Sequence, residues 1–192
     1  MYMEVAFLIS SIFIVLFALL ALFDGFYLHI LKYKLHNNRE SRKEHLTHTI
    51  RALLFPCILY FLFLKQDSNV SFYIGMLIVV VDIIILGTDA YLEKDSRQFM
   101  GGLPRWEYIL HLFVNGFHFS SIAVFLSLKL KLTDSEITIV SNFQHYQSYA
   151  IFNLIVSNLL PGAILIAIVH VFVSIPKTAL IWNKLRLKLT CC

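Results

Sequence analysis

The sequence predicts an all-α integral membrane protein, a bundle of five transmembrane helices with its N-terminus outside and its C-terminus in the cytoplasm. The first observation is composition: 58% of the residues are hydrophobic and 15% are charged, with a mean hydropathy of +0.74. Soluble domains carry about 25% charged residues. The second observation is that the apolar residues form long runs. Residues 5–23 contain no charged side chain, and a helix of about 20 apolar residues crosses the hydrocarbon core of a bilayer.

The distribution of cations is the third observation, and it predicts the orientation. Of the 16 Lys and Arg residues, 13 lie on one side of the predicted spans and 3 on the other. The poorer side holds Lys65, Lys129 and Lys131. Because cytoplasmic loops collect Lys and Arg, the richer side is predicted to be cytoplasmic. These cations flank the spans and do not form one basic stripe, so no nucleic acid is expected as a partner.

Polar segments separate the apolar runs and set the ends of each helix. The five spans are predicted at about residues 5–30, 44–64, 70–94, 105–128 and 149–176. Ser41 with Glu44 three residues later fits a capping box, so the second helix should begin near Arg42. Pro56 should kink that helix. The residues from 129 to 148 are predicted as the longest loop.

The remainder of the chain adds a tail and no second domain. Residues 177–192 are predicted as a cytoplasmic amphipathic tail of a single membrane domain that covers residues 1–192. The three cysteines show no spacing typical of metal ligands. Cys191 and Cys192 are either candidates for palmitoylation or inert thiols, and the sequence leaves both alternatives open.

The stretch from Asp24 to Arg51 is unusually rich in ionisable residues for a chain of this composition. It holds four of the eight histidines, His29, His36, His45 and His48. The predicted orientation brings three more, His111, His118 and His170, to the same cytoplasmic side. That leaves only His145 on the other side.

Helical spacing predicts that these polar residues face one another. Residues three, four or seven apart share a helix face. Glu44 and His48 are four apart, and Asp82, Asp89 and Glu93 are seven and four apart. The fourth helix carries one stripe, made of Glu107, His111, Asn115 and His118. Asp24 and His29 are five apart, about 140° around a straight α-helix, so only one of them is expected to point inward.

Imidazoles and carboxylates that converge from several helices are typical of a metal site. Iron, zinc and manganese accept these ligands, and helical bundles hold two irons with them. The candidates exceed what one zinc ion needs, which favours two metal ions. The predicted ligands are His29, Glu44, His45, His48, Asp89, Glu93, His111, His118 and His170. Asp82 and Asn115 are predicted as catalytic residues that orient the ligands, and Asp24, His36, Arg51 and Glu107 are predicted to lie around the ligands.

Structural alternatives exist for the same residues. The run from residue 32 to residue 51 could be a solvated, positively charged loop with helix caps. Asp82 could pair with Arg51 or His111, and Arg51 could bind an anionic lipid headgroup or a carboxylate. Convergence across four helices is the observation that favours a metal site over these alternatives.

In plan, the chain resembles the membrane-bound fatty-acid desaturases and hydroxylases. Those enzymes hold two irons with histidine boxes at the cytoplasmic ends of their helices. Glu44-His45-Leu-Thr-His48 contains one HxxH pair. The chain has no HxxHH box, and His111 and His118 are too far apart for an HxxxH box. The resemblance implies a similar kind of site, and it assigns no individual residue.

The function predicted from the sequence is a membrane-embedded metalloenzyme that hydroxylates or desaturates a lipid-like substrate at a cytoplasm-facing centre of two iron ions. No glycine-rich nucleotide loop or serine nucleophile motif is present, so electrons would come from a separate protein. One alternative is a zinc-dependent lipid hydrolase. Another is a non-enzyme, either a metal or proton transporter or a subunit of a membrane complex.

Overall fold

Six helices and one small hairpin make up the computed structural model, which describes residues 2–133 and 136–190. The α-helices are α1 Tyr2–Ala21, α2 Arg42–Ile58, α3 Asn69–Ser96, α4 Arg105–Lys129, α5 Gln147–Ser174 and α6 Pro176–Thr190. Two of them continue as π-helices, α1 over Leu22–Lys32 and α2 over Leu59–Leu64. Short 3₁₀ turns cover Leu35–Asn37 and Gln98–Met100. Strands β1 Leu130–Leu132 and β2 Ile137–Ile139 pair antiparallel.

Five of these helices are long and apolar enough to cross a membrane. They are Tyr2–Lys32, Arg42–Leu64, Asn69–Ser96, Arg105–Lys129 and Gln147–Ser174. The prediction of an all-helical chain with five potential spans is therefore confirmed. Many large apolar side chains point away from the bundle, among them Leu77, Ile84, Leu154 and Leu165, each at least 60% exposed. Lipid is the solvent that suits such a surface.

The apolar core lies at the end of the bundle where α1 and α5 begin. Helix α1 packs along α4 and α5, and α2 packs against α3 and α5. Phe7 lies 5.2 Å from Phe143 in an edge-to-face pair, and Phe125 stacks on Phe152 at 5.5 Å between ring centroids. Such pairs add about 0.5–1.5 kcal/mol each beyond their buried area. We call this end the aromatic end.

Polar contacts fix the helix ends at the aromatic end. The Glu4 carboxylate accepts hydrogen bonds from the backbone N–H groups of Gln147 and Ser148, at the start of α5. The buried Lys129 ammonium, at the end of α4, donates to the side-chain oxygen of Gln66 at 2.7 Å. These bonds join α1 to α5, and α4 to the segment that follows α2.

The π-helical continuation of α1 changes one expectation from the sequence. In a π-helix each N–H bonds to the carbonyl five residues earlier, as Tyr33 N–H does to the Leu28 carbonyl at 2.7 Å. Residues five apart therefore lie on one face. Asp24 and His29 both point inward, with 3.3 Å between Asp24 Oδ1 and His29 Nε2. The expectation that only one of them faces the site is wrong, because it assumed a straight α-helix.

Helix α2 begins at Arg42 as predicted, but no capping box forms there. The Ser41 hydroxyl donates to the Leu35 carbonyl at 2.8 Å, and the Glu44 carboxylate contacts Arg97 instead of the N-cap. The predicted perturbation near Pro56 takes the form of a change to π-helix, which begins three residues later at Leu59. Proline cannot donate the backbone hydrogen bond that a regular α-helix requires.

The remaining differences concern the loop and the termini. The predicted loop from residue 129 to residue 148 contains the β1–β2 hairpin. The predicted tail is largely helical, as α6, and Cys191 and Cys192 lie outside the described residues. Cys57 is half-buried and its thiol is free.

Replacing Lys129 tests the polar pairing at the aromatic end. In Lys129→Ala, Gln66 Oε1 loses its buried donor, so the free energy of unfolding should fall by about 1–3 kcal/mol. Thermal unfolding of the purified chain in detergent measures the change. Lys131→Ala is the matched control, because Lys131 is exposed two residues away. Equal midpoints for the two variants would show that the Lys129–Gln66 bond does not stabilise the bundle.

Candidate metal centre

Ionisable side chains from four helices converge at the end of the bundle opposite the aromatic end. The π-helical part of α1, the start of α2, the end of α3 and the start of α4 all contribute to it. We call this set the polar cluster, and its members are Asp24, His29, Glu44, His48, Asp89, Glu93, Arg97, Glu107 and His111.

Four residues of the polar cluster have the geometry of a metal site. One ligand atom from each of Asp24, His29, Glu107 and His111 lies within 4.8 Å of the others. His111 Nε2 is 3.1 Å from Asp24 Oδ1, and His29 Nε2 is 3.8 Å from Glu107 Oε1. Neutral imidazoles and carboxylates at these separations can close on one ion through small side-chain rotations.

A second group shares His29 with the first. Ligand atoms of His29, Glu44 and His48 also lie within 4.8 Å of one another. The rings of His29 and His48 meet edge to face, with 4.1 Å between centroids. Asp89 Oδ2 is 3.2 Å from His48 Nε2 and extends this group. Two adjacent groups that meet at His29 could hold two neighbouring ions, with the neutral His29 imidazole as a ligand of one of them.

Further contacts hold these side chains in place. Glu93 Oε1 lies 2.7 Å from His111 Nδ1, so Nε2 is the nitrogen that faces Asp24. The Thr47 hydroxyl donates to the Asp89 carboxylate, and the Ser96 hydroxyl donates to the Glu44 carboxylate. Partners of this kind orient metal ligands in known sites.

Arg97 is the member of the polar cluster that sequence reasoning missed. It was counted as a loop cation, yet it is fully buried. Its Nη2 lies 2.7 Å from Glu44 Oε1, 2.9 Å from Glu107 Oε1 and 2.9 Å from His29 Nε2. The available signal was its spacing, because Asp89, Glu93 and Arg97 follow one another at intervals of four.

A tight turn after α3 places the Arg97 backbone. The N–H of Gly102 bonds to the Arg97 carbonyl at 3.0 Å, and both Gly101 and Gly102 have positive φ, +83° and +101°. Only glycine adopts such angles without strain. Tyr33 lies over the guanidinium at 5.2 Å. Burial, with the Glu107 carboxylate beside it, raises the pKa of Tyr33 to about 12.

Three predicted site residues form a separate group next to the polar cluster. His45 stacks on His170 at 5.6 Å between centroids, and His36 lies 5.6 Å from His45. Ser174 Oγ is 3.1 Å from His45 Nε2. Burial lowers the pKa of His36, which favours its neutral form. Among the described residues, these three do not join either of the groups whose ligand atoms lie within 4.8 Å.

Four other predicted residues lie deeper in the bundle. Arg51 donates from Nε to Asp82 at 3.1 Å and from Nη2 to the Asn115 side chain at 3.0 Å. His118 Nε2 is 3.1 Å from the other oxygen of Asp82. Seven residues separate His111 from His118, about 10 Å along α4, so they share a stripe without sharing a site. Of the alternatives for Asp82, pairing with Arg51 is the one observed.

Comparison with known proteins found no match to this chain. No protein-family model matches it, and neither a curated protein nor a solved structure does.

Replacing Arg97 tests how strongly the polar cluster depends on an internal cation. In the metal-free chain, Arg97→Ala removes the cation that Glu44 and Glu107 share and leaves both buried carboxylates without it. The free energy of unfolding should therefore fall by about 3–5 kcal/mol. Thermal unfolding in the presence of a chelator measures the loss. Arg105→Ala serves as the control, because Arg105 is exposed at the start of α4. A midpoint for Arg97→Ala equal to that of the control would contradict the ion-pair assignment.

Proposed function

We propose that this chain is a multi-pass membrane metalloenzyme whose polar cluster binds two transition-metal ions and oxidises a lipid. The observation that carries the proposal is the pair of groups that share His29, each with its ligand atoms within 4.8 Å. The proposed metal is iron, because mixed imidazole and carboxylate ligands in a helical bundle suit a two-iron centre. Such a centre supplies the activation of oxygen.

Charge balance supports bound cations. The polar cluster contains five carboxylates, Asp24, Glu44, Asp89, Glu93 and Glu107. Among the described residues, Arg97 is the one permanently charged cation in ion-pair contact with any of these five. Burying a carboxylate without a partner is costly. Protonated histidines could offset part of the remaining charge, and metal ions would offset all of it while leaving the imidazoles neutral as ligands.

Unsatisfied polar atoms support the same proposal. Within the described part of the chain, His29 Nδ1 is buried without a hydrogen bond. The Glu107 carboxylate has Arg97 as an ionic partner, 2.9 Å away, but makes no hydrogen bond of good geometry. His48 Nε2 is also without one, although it lies 3.2 Å from Asp89 Oδ2. Atoms of this kind in a buried site need an explanation, and metal coordination provides one for both groups.

An apolar cavity beside the polar cluster supports a lipid as substrate. It has a volume of about 410 Å³, and Asp24 and His48 form part of its wall. Phe17, Phe55 and Leu159 are among the apolar residues that line the rest. Pockets of this size and character hold small apolar ligands. Residues of the polar cluster would then act on a hydrocarbon group held against them.

The proposed orientation places the polar cluster at the cytoplasmic face. The excess of Lys and Arg on that side of the spans supports it. Electrons would come from a separate cytoplasmic donor protein, because the chain lacks a nucleotide-binding loop. With the polar cluster near the membrane surface, the donor protein could reach it from the cytoplasm while the substrate stays in lipid.

A structural role for the polar cluster is the second candidate, and Arg97 is the observation that favours it. The guanidinium contacts His29, Glu44 and Glu107, so it occupies the space between the two groups. In that case the carboxylates and Arg97 form a buried ion-pair network that holds α2, α3 and α4 together. Metal content separates the two candidates.

Metal analysis of the purified chain tests the proposed function. We expect close to two iron ions for each chain after anaerobic reconstitution, measured by mass spectrometry of the metals. His111→Ala should lower that stoichiometry, because His111 belongs to the first group. His145→Ala should leave it unchanged, because His145 is exposed and lies near the aromatic end.

The outcomes of this measurement are distinct. A chain that binds no transition metal before or after reconstitution supports the structural role and overturns the enzyme. Stoichiometric zinc with no affinity for iron would support the lipid hydrolase instead, in which zinc activates water for attack.

Oxidation itself can be measured on the iron-loaded chain. With a chemical reductant and oxygen, mass spectrometry of the lipids should detect either one added oxygen or the loss of two hydrogens. Oxygen accepts the two electrons from the substrate and two more from the reductant. His111→Ala should abolish the product, and His145→Ala should retain it. Product formed equally by iron-free protein would contradict the proposal.

A further inference from the structure

The cavity beside the polar cluster has two kinds of wall. Part of the lining is polar, and the rest is apolar; the polar residues are Asp24, His48, Arg51, Asp82, His118, Asn158 and His170. Arg51, Asp82 and His118 are already paired with one another, at 3.1 Å for both contacts. Arg51 and Asp82 therefore already have polar partners, and the mostly apolar lining suits a hydrocarbon.

Small residues on two helices create the space. Helix α1 and its π-helical continuation contribute Ala18, Ala21 and Gly25, at intervals of three and four. Helix α5 contributes Gly162 and Ala163. A Cβ atom added at Gly162 would meet no atom within 4 Å. Larger residues at these positions would fill the cavity, so the small side chains are what keeps it open.

The cavity lining extends along α5 from Asn158 to His170, about 18 Å at the rise of an α-helix. A volume of about 410 Å³ divided by that length corresponds to a small mean cross-section. Such a cross-section favours one extended hydrocarbon chain over a fused ring system such as a sterol.

The mouth of the cavity faces lipid if the five helices cross a membrane. Asn158, Gly162 and Leu165 line it and are exposed. Their spacing of four and three puts them on one stripe of α5, within the segment that is long and apolar enough to span a bilayer. A chain could therefore enter sideways from the hydrocarbon core without passing through water.

We propose that this cavity binds one straight acyl chain, lying along α5 with one of its carbons beside Asp24 and His48. This inference rests on the proposed function, since it names the substrate class of the same site. It assigns the selectivity for a single acyl chain over a ring system to Ala18, Ala21, Gly162 and Ala163. It also locates the carbon that would react at the end of the cavity next to the polar cluster.

Binding to the metal-free chain tests this inference separately from the chemistry. The probe is parinaric acid, a straight fluorescent fatty acid, added to chelator-treated protein in nanodiscs. Energy transfer from tryptophan reports binding, because Trp182 packs against Phe26, next to Gly25 in the cavity wall. We expect a saturable signal. Unlabelled oleic acid should displace the probe, and a sterol should not.

Variants that fill the cavity provide the control. Gly162→Leu should weaken binding by about tenfold, because the added side chain overfills a narrow space. Gly116→Leu is the matched control: Gly116 is also a helical glycine with no atom within 4 Å of an added Cβ, and it does not line the cavity. Ala163→Leu repeats the test if Gly162→Leu unfolds, and thermal unfolding of each variant checks the fold.

Several outcomes would overturn the inference. They are a signal that does not saturate, displacement by the sterol, or equal binding by Gly162→Leu, Ala163→Leu and Gly116→Leu. Phosphatidylcholine that carries a parinaroyl chain, compared with the free acid, shows whether the bound chain is esterified. If the chain binds parinaric acid but takes up no metal, the acyl-chain site is supported and the proposed enzyme is overturned. If the chain takes up metal but does not bind parinaric acid, the metal centre is supported and the acyl-chain site is overturned.

Discussion

Compensation of buried negative charge is the constraint on which the arrangement of helices depends. Five carboxylates lie at one end of an otherwise apolar bundle, and each costs several kcal/mol if it remains ionised and unpaired. Four helices must therefore meet at that end with groups that neutralise them. Arg97 from the end of α3 reaches carboxylates of α2 and α4, and His111 of α4 reaches Asp24 of α1 and Glu93 of α3. These contacts fix which helix ends are adjacent, while the aromatic end supplies apolar packing.

The positions of these charges also suit the helices that carry them. Glu44 and Glu107 occupy the first turns of α2 and α4, where the N-terminal end of the helix dipole favours negative charge. Arg97 directly follows the C-terminal end of α3, where a cation is favoured. One guanidinium thus connects the N-terminal ends of two helices to the C-terminal end of a third. These charged residues therefore stabilise the ends of their own helices and, by pairing with one another, also hold those helix ends together.

The sequence predicted the helices better than it predicted the site. Long apolar runs are sufficient to locate five potential spans, because their length and hydropathy are local properties. Spacing also identified Glu44 with His48, and Glu107 with His111, as pairs on one face. Asp24 and His29 could not be paired this way, because the change from α-helix to π-helix after Ala21 depends on the contacts that the segment makes.

Arg97 was missed because a charge before two glycines resembles a loop residue, and burial depends on partners from other helices. The cavity depends on Ala18 and Gly162, which line the same space from two helices far apart in sequence.

Arg97 and the proposed metal centre would neutralise the same carboxylates at different stages, the first during folding and the second after it. A chain that depended on metal to neutralise Glu44 and Glu107 would assemble α2, α3 and α4 only once the ion was bound. With Arg97 between the two carboxylates, the helices can pack around an internal cation first. In the proposed two-ion centre, metal would compete with the guanidinium for His29 and Glu107 in the first group and for Glu44 in the second. If the proposed centre forms, the contacts of Arg97 would couple folding to metal binding, and the affinity for metal should depend on how firmly Arg97 holds Glu44 and Glu107.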